Sequence, residues 1–183
     1  MTQGLQAAID EPVELVPHDA RWRELFEAER SRLLRLFPAV FIAIEHIGST
    51  ALPALAAKPV IDMLGGVASM AAADALVAAL CEHGYATSAE FNATLFDRRW
   101  LMRASGGRRT HHLHLVVHGG REWRERLAFR DALRADATLA RRYLALKQRL
   151  ALEHRTDRET YTQAKAEFVR SVVDERLNRC PPT

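Results

Sequence analysis

The chain has 183 residues and a formal net charge of +3, with 48% hydrophobic and 27% charged residues. That length holds one domain, or a core with one appendage, and the composition excludes a disordered chain. No apolar run approaches the ~20 residues that span a bilayer, so no membrane partner is expected; from Met1 to Glu11 the chain lacks the basic start and apolar stretch of a signal peptide, which makes the cytoplasm the expected location.

In chain order, Glu14 to Pro17 reads as a short strand. Asp19 is placed to cap a helix from Arg21 to Leu36, with Trp22, Leu25, Phe26, Leu33 and Leu36 at helical spacing and Pro38 as its stop. Phe41 to Ile47 reads as a strand, followed by a turn at Gly48 and a short helix capped by Ser49. Pro59 to Leu64 reads as a buried strand ending at Gly65-Gly66. Ser69 caps an alanine-rich helix to Glu82, which Gly84 ends. Phe96 to Met102 and His112 to Val117 read as strands joined by a Ser105-Gly106-Gly107-Arg108-Arg109 loop. Helices follow at Glu122 to Arg134, Thr138 to Glu153 and Asp157 to Leu177. Cys81 is expected in the core and Cys180 in an exposed tail; their spacing suits no metal site and no disulfide is expected.

Gly48-Ser49, between a strand and a short helix, offers bare N–H groups and a hydroxyl to an anion such as phosphate. Asp62 follows on a neighbouring apolar strand, where a carboxylate is costly unless it is paired or used. A salt bridge from Asp62 to Lys58 is the structural alternative.

The runs His46-Ile47-Gly48-Ser49-Thr50-Ala51-Leu52-Pro53 and Lys58-Pro59-Val60-Ile61-Asp62 resemble the signature of the GrpB family. His112-Leu113-His114, Phe129-Arg130-Asp131-Ala132-Leu133-Arg134, Tyr143 with Lys147 and Tyr161 with Lys165 extend the resemblance from Val13 to Val173. The family is assigned to the polymerase-β-like nucleotidyltransferase superfamily and also occurs fused to dephospho-CoA kinase. The resemblance implies an α+β fold, a mixed sheet flanked by helices, with residues 12–118 as a nucleotidyltransferase-like core and 119–178 as a C-terminal helical subdomain. It also implies phosphates held at Gly48, Ser49 and Thr50, and a divalent metal, Mg²⁺, held by strand carboxylates.

The superfamily pattern places a second acid two residues after the first, on the same strand face. Here that position is Leu64. His112 and His114 share a strand face and would join Asp62 as metal ligands, a donor set suited to Mn²⁺ or Zn²⁺. They read equally well as core histidines bonded to backbone or to Asp62, or with one of them as a general base or phosphate contact. Arg98, Arg99, Arg103, Arg108 and Arg109 gather around the hairpin; Arg103, near a strand end, is the preferred anion clamp, while Arg108 and Arg109 are expected in solvent. Arg130 is a further candidate, with Asp131 placed to pair with it or with Arg134. Tyr143 with Lys147, and Tyr161 with Lys165, lie on common helix faces. Either a tyrosine stacks on a base and a lysine meets phosphate, or the tyrosines pack between helices and the lysines reach outward.

The expected function is transfer of a nucleotidyl group from ATP or another NTP to a small-molecule acceptor. Asp62, His112 and His114 would be the catalytic and metal residues, with Lys58, Lys147, Lys165, Arg103, Arg130 and Tyr143 on the nucleotide. The alternatives are a nucleotide- or phosphometabolite-binding module, with a link to coenzyme A metabolism, and a metal-dependent phosphotransferase or hydrolase. Nothing resembles a nucleic-acid motif.

Overall fold

A computed structural model describes residues 12–53 and 55–179. The fold is α+β, as expected: a five-stranded mixed sheet flanked by helices. The first helix, α1 (Arg21–Leu36), buries Trp22, Phe26 and Leu33. Each of these contributes about 1.5–3 kcal/mol through burial. Leu25, expected on the same stripe, is exposed. Asp19 accepts the Arg21 backbone N–H at 2.9 Å, close to its expected capping role.

The strands are β1 (Ala43–Ile47), β2 (Ile61–Val67), β3 (Tyr85–Ala86), β4 (Arg98–Ser105) and β5 (Arg108–Val117), in the spatial order β1-β2-β5-β4-β3. Only β2 and β5 pair in parallel; the other neighbours are antiparallel. β2 runs on through Gly65 and Gly66, where it was expected to end, because both flanking strands continue to pair with it there. The β4–β5 connection is tighter than expected. Gly106 and Gly107 both take positive φ, so two residues make the turn and Arg108 and Arg109 belong to β5. The short edge strand β3 and the helix α3 (Ala89–Ala93) were not foreseen. The stretch from Glu14 to Pro17 forms a single bridge, Val16 to Ala57.

The alternation of the strands gives the sheet two unlike faces. Ile61, Met63, Leu113, Leu115 and Leu101 join α1 and α2 (Met70–Glu82) in the main core. α2 is capped by Ser69 as expected, and it buries Ala73, Leu76 and Leu80. Cys81, one residue past that stripe, is exposed and not in the core. Cys180 lies outside the described residues.

The opposite face carries Asp62, Leu64, His112, His114 and Trp100, and the C-terminal helices lie towards it. These are α4 (Arg121–Ala135), α5 (Ala137–Glu153), α6 (Arg158–Gln163) and α7 (Ala166–Arg179). The last expected helix is thus two, broken at Ala164–Lys165. Leu133, Tyr143 and Phe168 from these helices pack on Leu52 and Leu55, which follow the Gly48 turn. Among the described residues no helix is long and apolar enough to cross a membrane.

Candidate functional site

β1 delivers the chain to a turn that the sheet itself shapes. Gly48 takes φ +69°, and a Cβ there would run into the Asp62 carboxylate. Glycine is therefore required twice over, by its backbone conformation and by the closeness of the acid. Ser49 does not cap the following 3-10 turn (Ser49–Ala51); its hydroxyl hydrogen-bonds with Tyr143. Thr50 is buried, donating to the Val60 carbonyl and bonding His46 Nε2 at 3.0 Å. His46 points to the α1 side, stacked on Phe26. Burial lowers its pKa to about 4, so it is neutral at pH 7. His46 and Thr50 therefore hold the turn and are spent on the fold.

Asp62 lies beside His112 on the parallel β2–β5 pair. His112 Nδ1 and Asp62 Oδ1 are 3.0 Å apart. Burial pushes the Asp62 carboxyl upward, but the His112 bond, the two neighbouring imidazoles and, least, the Lys58 charge outweigh it and hold Asp62 well below the usual carboxylate range. Burial also lowers His112 and His114, against the pull of Asp62. An ionised carboxylate only accepts, so His112 Nδ1 carries the hydrogen and Nε2 is left as a lone pair. That Nε2 and His114 Nδ1 are buried without a hydrogen-bond partner.

The expected metal trio does not form a centre. Among the described residues no three His, Cys, Asp or Glu side chains are arranged to hold a metal ion. Asp62 and His112 are bonded to each other, and Leu64 is fully buried where a second acid would stand. Glu45 lies across from Leu64, yet Arg130 holds it at 2.7 Å. Among the described residues, Asp62, His112 and Glu45 are thus engaged with protein partners and form no three-donor set.

What does gather is positive charge. The sequence contains three lysines, Lys58, Lys147 and Lys165, and all three lie within electrostatic reach of Asp62. Lys147 sits on the buried stripe of α5 with Tyr143 and Leu150 and is only 2% exposed. Its Nζ donates to the Ala56 carbonyl at 2.7 Å. The break before α7 sets Lys165 Nζ 3.9 Å from the centre of the Tyr161 ring, and Lys58 Nζ lies 5.0 Å from that same centre. Burial, reinforced by the charge of Lys58, lowers Lys147 and Lys165 each to about 7. The tyrosines pack internally, as one reading held, but their lysines turn inward and do not reach for solvent. Tyr143, stacked on Phe168 and edge-on to Phe129, has no face left for a base.

Two expected anion clamps are employed elsewhere. Arg103 pairs with Glu29 at 2.6 Å on the opposite face of the sheet. Arg130 is buried, bonding Glu45, Asp131 and the His46 carbonyl, while Arg134 bonds the Ala51 carbonyl. Together these two brace both flanks of the Gly48 turn. Arg109, expected in solvent, instead lies over Trp100 and acts electrostatically on His112. The lysine cluster had one sequence signal, the scarcity of lysine in a chain that otherwise uses arginine; Arg109 and Trp100 had none beyond strand alternation.

The GrpB protein family model matches residues 12–175. The chain is 37% identical over 162 residues to the protein YqkA of Bacillus subtilis, covering 88% of this chain and 46% of that protein. It is 32% identical over 182 residues to a dephospho-CoA kinase of Mycolicibacterium paratuberculosis, covering 87% of this chain and 44% of the kinase. The chain thus spans about half the length of both. The crystal structure of the conserved protein GrpB from Enterococcus faecalis superposes with a TM-score of 0.80 at 34% identity, covering 91% of this chain and 98% of that one.

Proposed function

The chain belongs to the GrpB family, and we propose that it binds the phosphate groups of a nucleotide or other phosphorylated small molecule in the pocket around Asp62. One observation carries this reading: every lysine of the chain converges on a single carboxylate. Lys147 bonds a backbone carbonyl and Lys165 faces a ring, so their ammonium groups bring positive charge that a phosphate dianion or polyphosphate neutralises. Lysine suits the task because it can release its proton while the pocket is empty, whereas arginine cannot. The turn at Gly48 adds backbone N–H groups beside the same acid. The match to a dephospho-CoA kinase makes a coenzyme A precursor one ligand to try.

Nucleotidyl transfer to a small acceptor is the second reading, favoured by the placement of Asp62 against Gly48. Leu64 and the absence of a three-donor cluster among the described residues weigh against a resident metal pair. One pair of variants separates the readings. Calorimetry with inorganic tripolyphosphate should show Asp62→Asn binding as tightly as the parent, or more tightly, because a negative charge has been removed. Weaker binding of tripolyphosphate by Asp62→Asn argues against a simple anion pocket. Release of pyrophosphate from an NTP in an acceptor panel, abolished in Asp62→Ala, would establish transfer.

A further inference from the structure

The phosphate pocket occupies one side of Asp62, and the other side of the same sheet face ends in an aromatic surface that the binding of phosphate does not use. We propose that Trp100 is the platform on which a planar ring of the ligand stacks, which narrows the ligand class to nucleotides. This rests on the phosphate-binding reading above.

Trp100 lies opposite His114 on the β4–β5 pair, and its ring centre is 5.3 Å from that of His112. His112 in turn feels the charges of both Lys58 and Arg109, so it stands between the lysine pocket and the aromatic surface. Phe91 meets the Trp100 ring edge-on at 5.7 Å, and Arg109 lies over it at 5.9 Å. A guanidinium in direct stacking contact would sit about 3.5–4 Å away. A ring sandwiched between the two groups needs about 7 Å, twice that contact distance. Stacking therefore requires Arg109 to move outward by about 1 Å when the ring enters.

The platform is also held in place. β3 pairs with β4 only at Met102 and Arg103, so the backbone of Trp100 has no strand on its outer side. The buried Asn92 side chain takes that role. Its Oδ1 accepts the Trp100 N–H at 2.8 Å and its Nδ2 donates to the Trp100 carbonyl at 3.2 Å. An amide that copies a strand fixes the ring before any ligand arrives, which lowers the ordering cost of stacking. The tyrosines of the C-terminal helices, the other aromatic candidates, are spent on packing.

The test is calorimetry of the full chain with ATP, GTP, CTP and UTP, and with inorganic tripolyphosphate as the ring-free control. At least one nucleotide, a purine first, should bind about tenfold more tightly than tripolyphosphate. Trp100→Leu should erase that difference and leave the tripolyphosphate affinity unchanged, while Trp100→Phe keeps most of it. A difference that survives Trp100→Leu, or that is absent in the parent protein, overturns the platform and spares the phosphate pocket. Failure of all five anions to bind overturns both. Tryptophan fluorescence of the parent protein gives a check free of folding effects. Trp22 and Trp123 are only 3% and 8% exposed, so the component open to acrylamide reports Trp100. Nucleotide, and not tripolyphosphate, should shield it; equal shielding by both counts against stacking.

Discussion

Each face of the sheet holds a carboxylate, and the two are treated differently. On the α1 side, Glu29 is 3% exposed and accepts hydrogen bonds from Arg32, Tyr85 and Arg103. Its charge is consumed within the protein, while both arginines reach partly to the surface. On the other side, the Asp62 side chain is 31% exposed and bonds His112, and two nearby lysines have other partners. Lys147 bonds a backbone carbonyl and Lys165 faces an aromatic ring. A buried charge matched by its neighbours is architecture; a half-exposed one with cations near it is where the proposed ligand is sought.

The sharpest way to break this contrast is to exchange the roles. Glu29→Ala leaves Arg32, Arg103 and Tyr85 without their acceptor and should lower stability by about 3 kcal/mol, measured by urea unfolding, with tripolyphosphate affinity unchanged. Loss of binding with no loss of stability would invert the two assignments. Next in size, Lys147→Met keeps the aliphatic stem and removes the ammonium. Tripolyphosphate affinity should fall about ten- to a hundredfold, the worth of a charged hydrogen bond, while urea stability holds or rises, since a costly buried charge is gone.

The smallest effect tests protonation. Burial lowers Lys147 and Lys165 to about 7, and an anion bound beside them should raise both. At pH 8 the empty lysines are largely neutral and become charged on binding, so tripolyphosphate should bring protons in with it. At pH 6 they already hold them, and uptake should vanish. Calorimetry in buffers of unlike ionisation heat reads the difference. Uptake that does not depend on pH would show that these lysines are not the anion's partners.

How far the site was legible depended on how local its parts are. Gly48, Ser49 and Asp62 fall within one strand-turn-strand unit, and the backbone preference of glycine marks it. The family resemblance rested on the same residues. Arg103 and Arg109 were exchanged because the hairpin turns on two residues and not five, and because alternation alone cannot say which face of β4 meets α1. Trp100 was overlooked because nothing local distinguishes an aromatic in a site from one in a core. Lys147 was placed on a helix face with Tyr143, though whether that face turns to solvent or to the sheet is settled by packing; Lys165 falls in a helix break that the sequence did not mark.

The sequence by itself determined the longer elements, the Gly48 turn, the family and the α+β class, since these follow from periodicity, turn chemistry and a contiguous signature. Only the tertiary structure decided which charges meet. Lys58, Lys147 and Lys165 lie on three separate segments, and they converge because Leu133, Tyr143 and Phe168 bury themselves against Leu52 and Leu55. That burial is non-directional and draws on residues distant in the chain, so no local pattern encodes the charges that it gathers near Asp62.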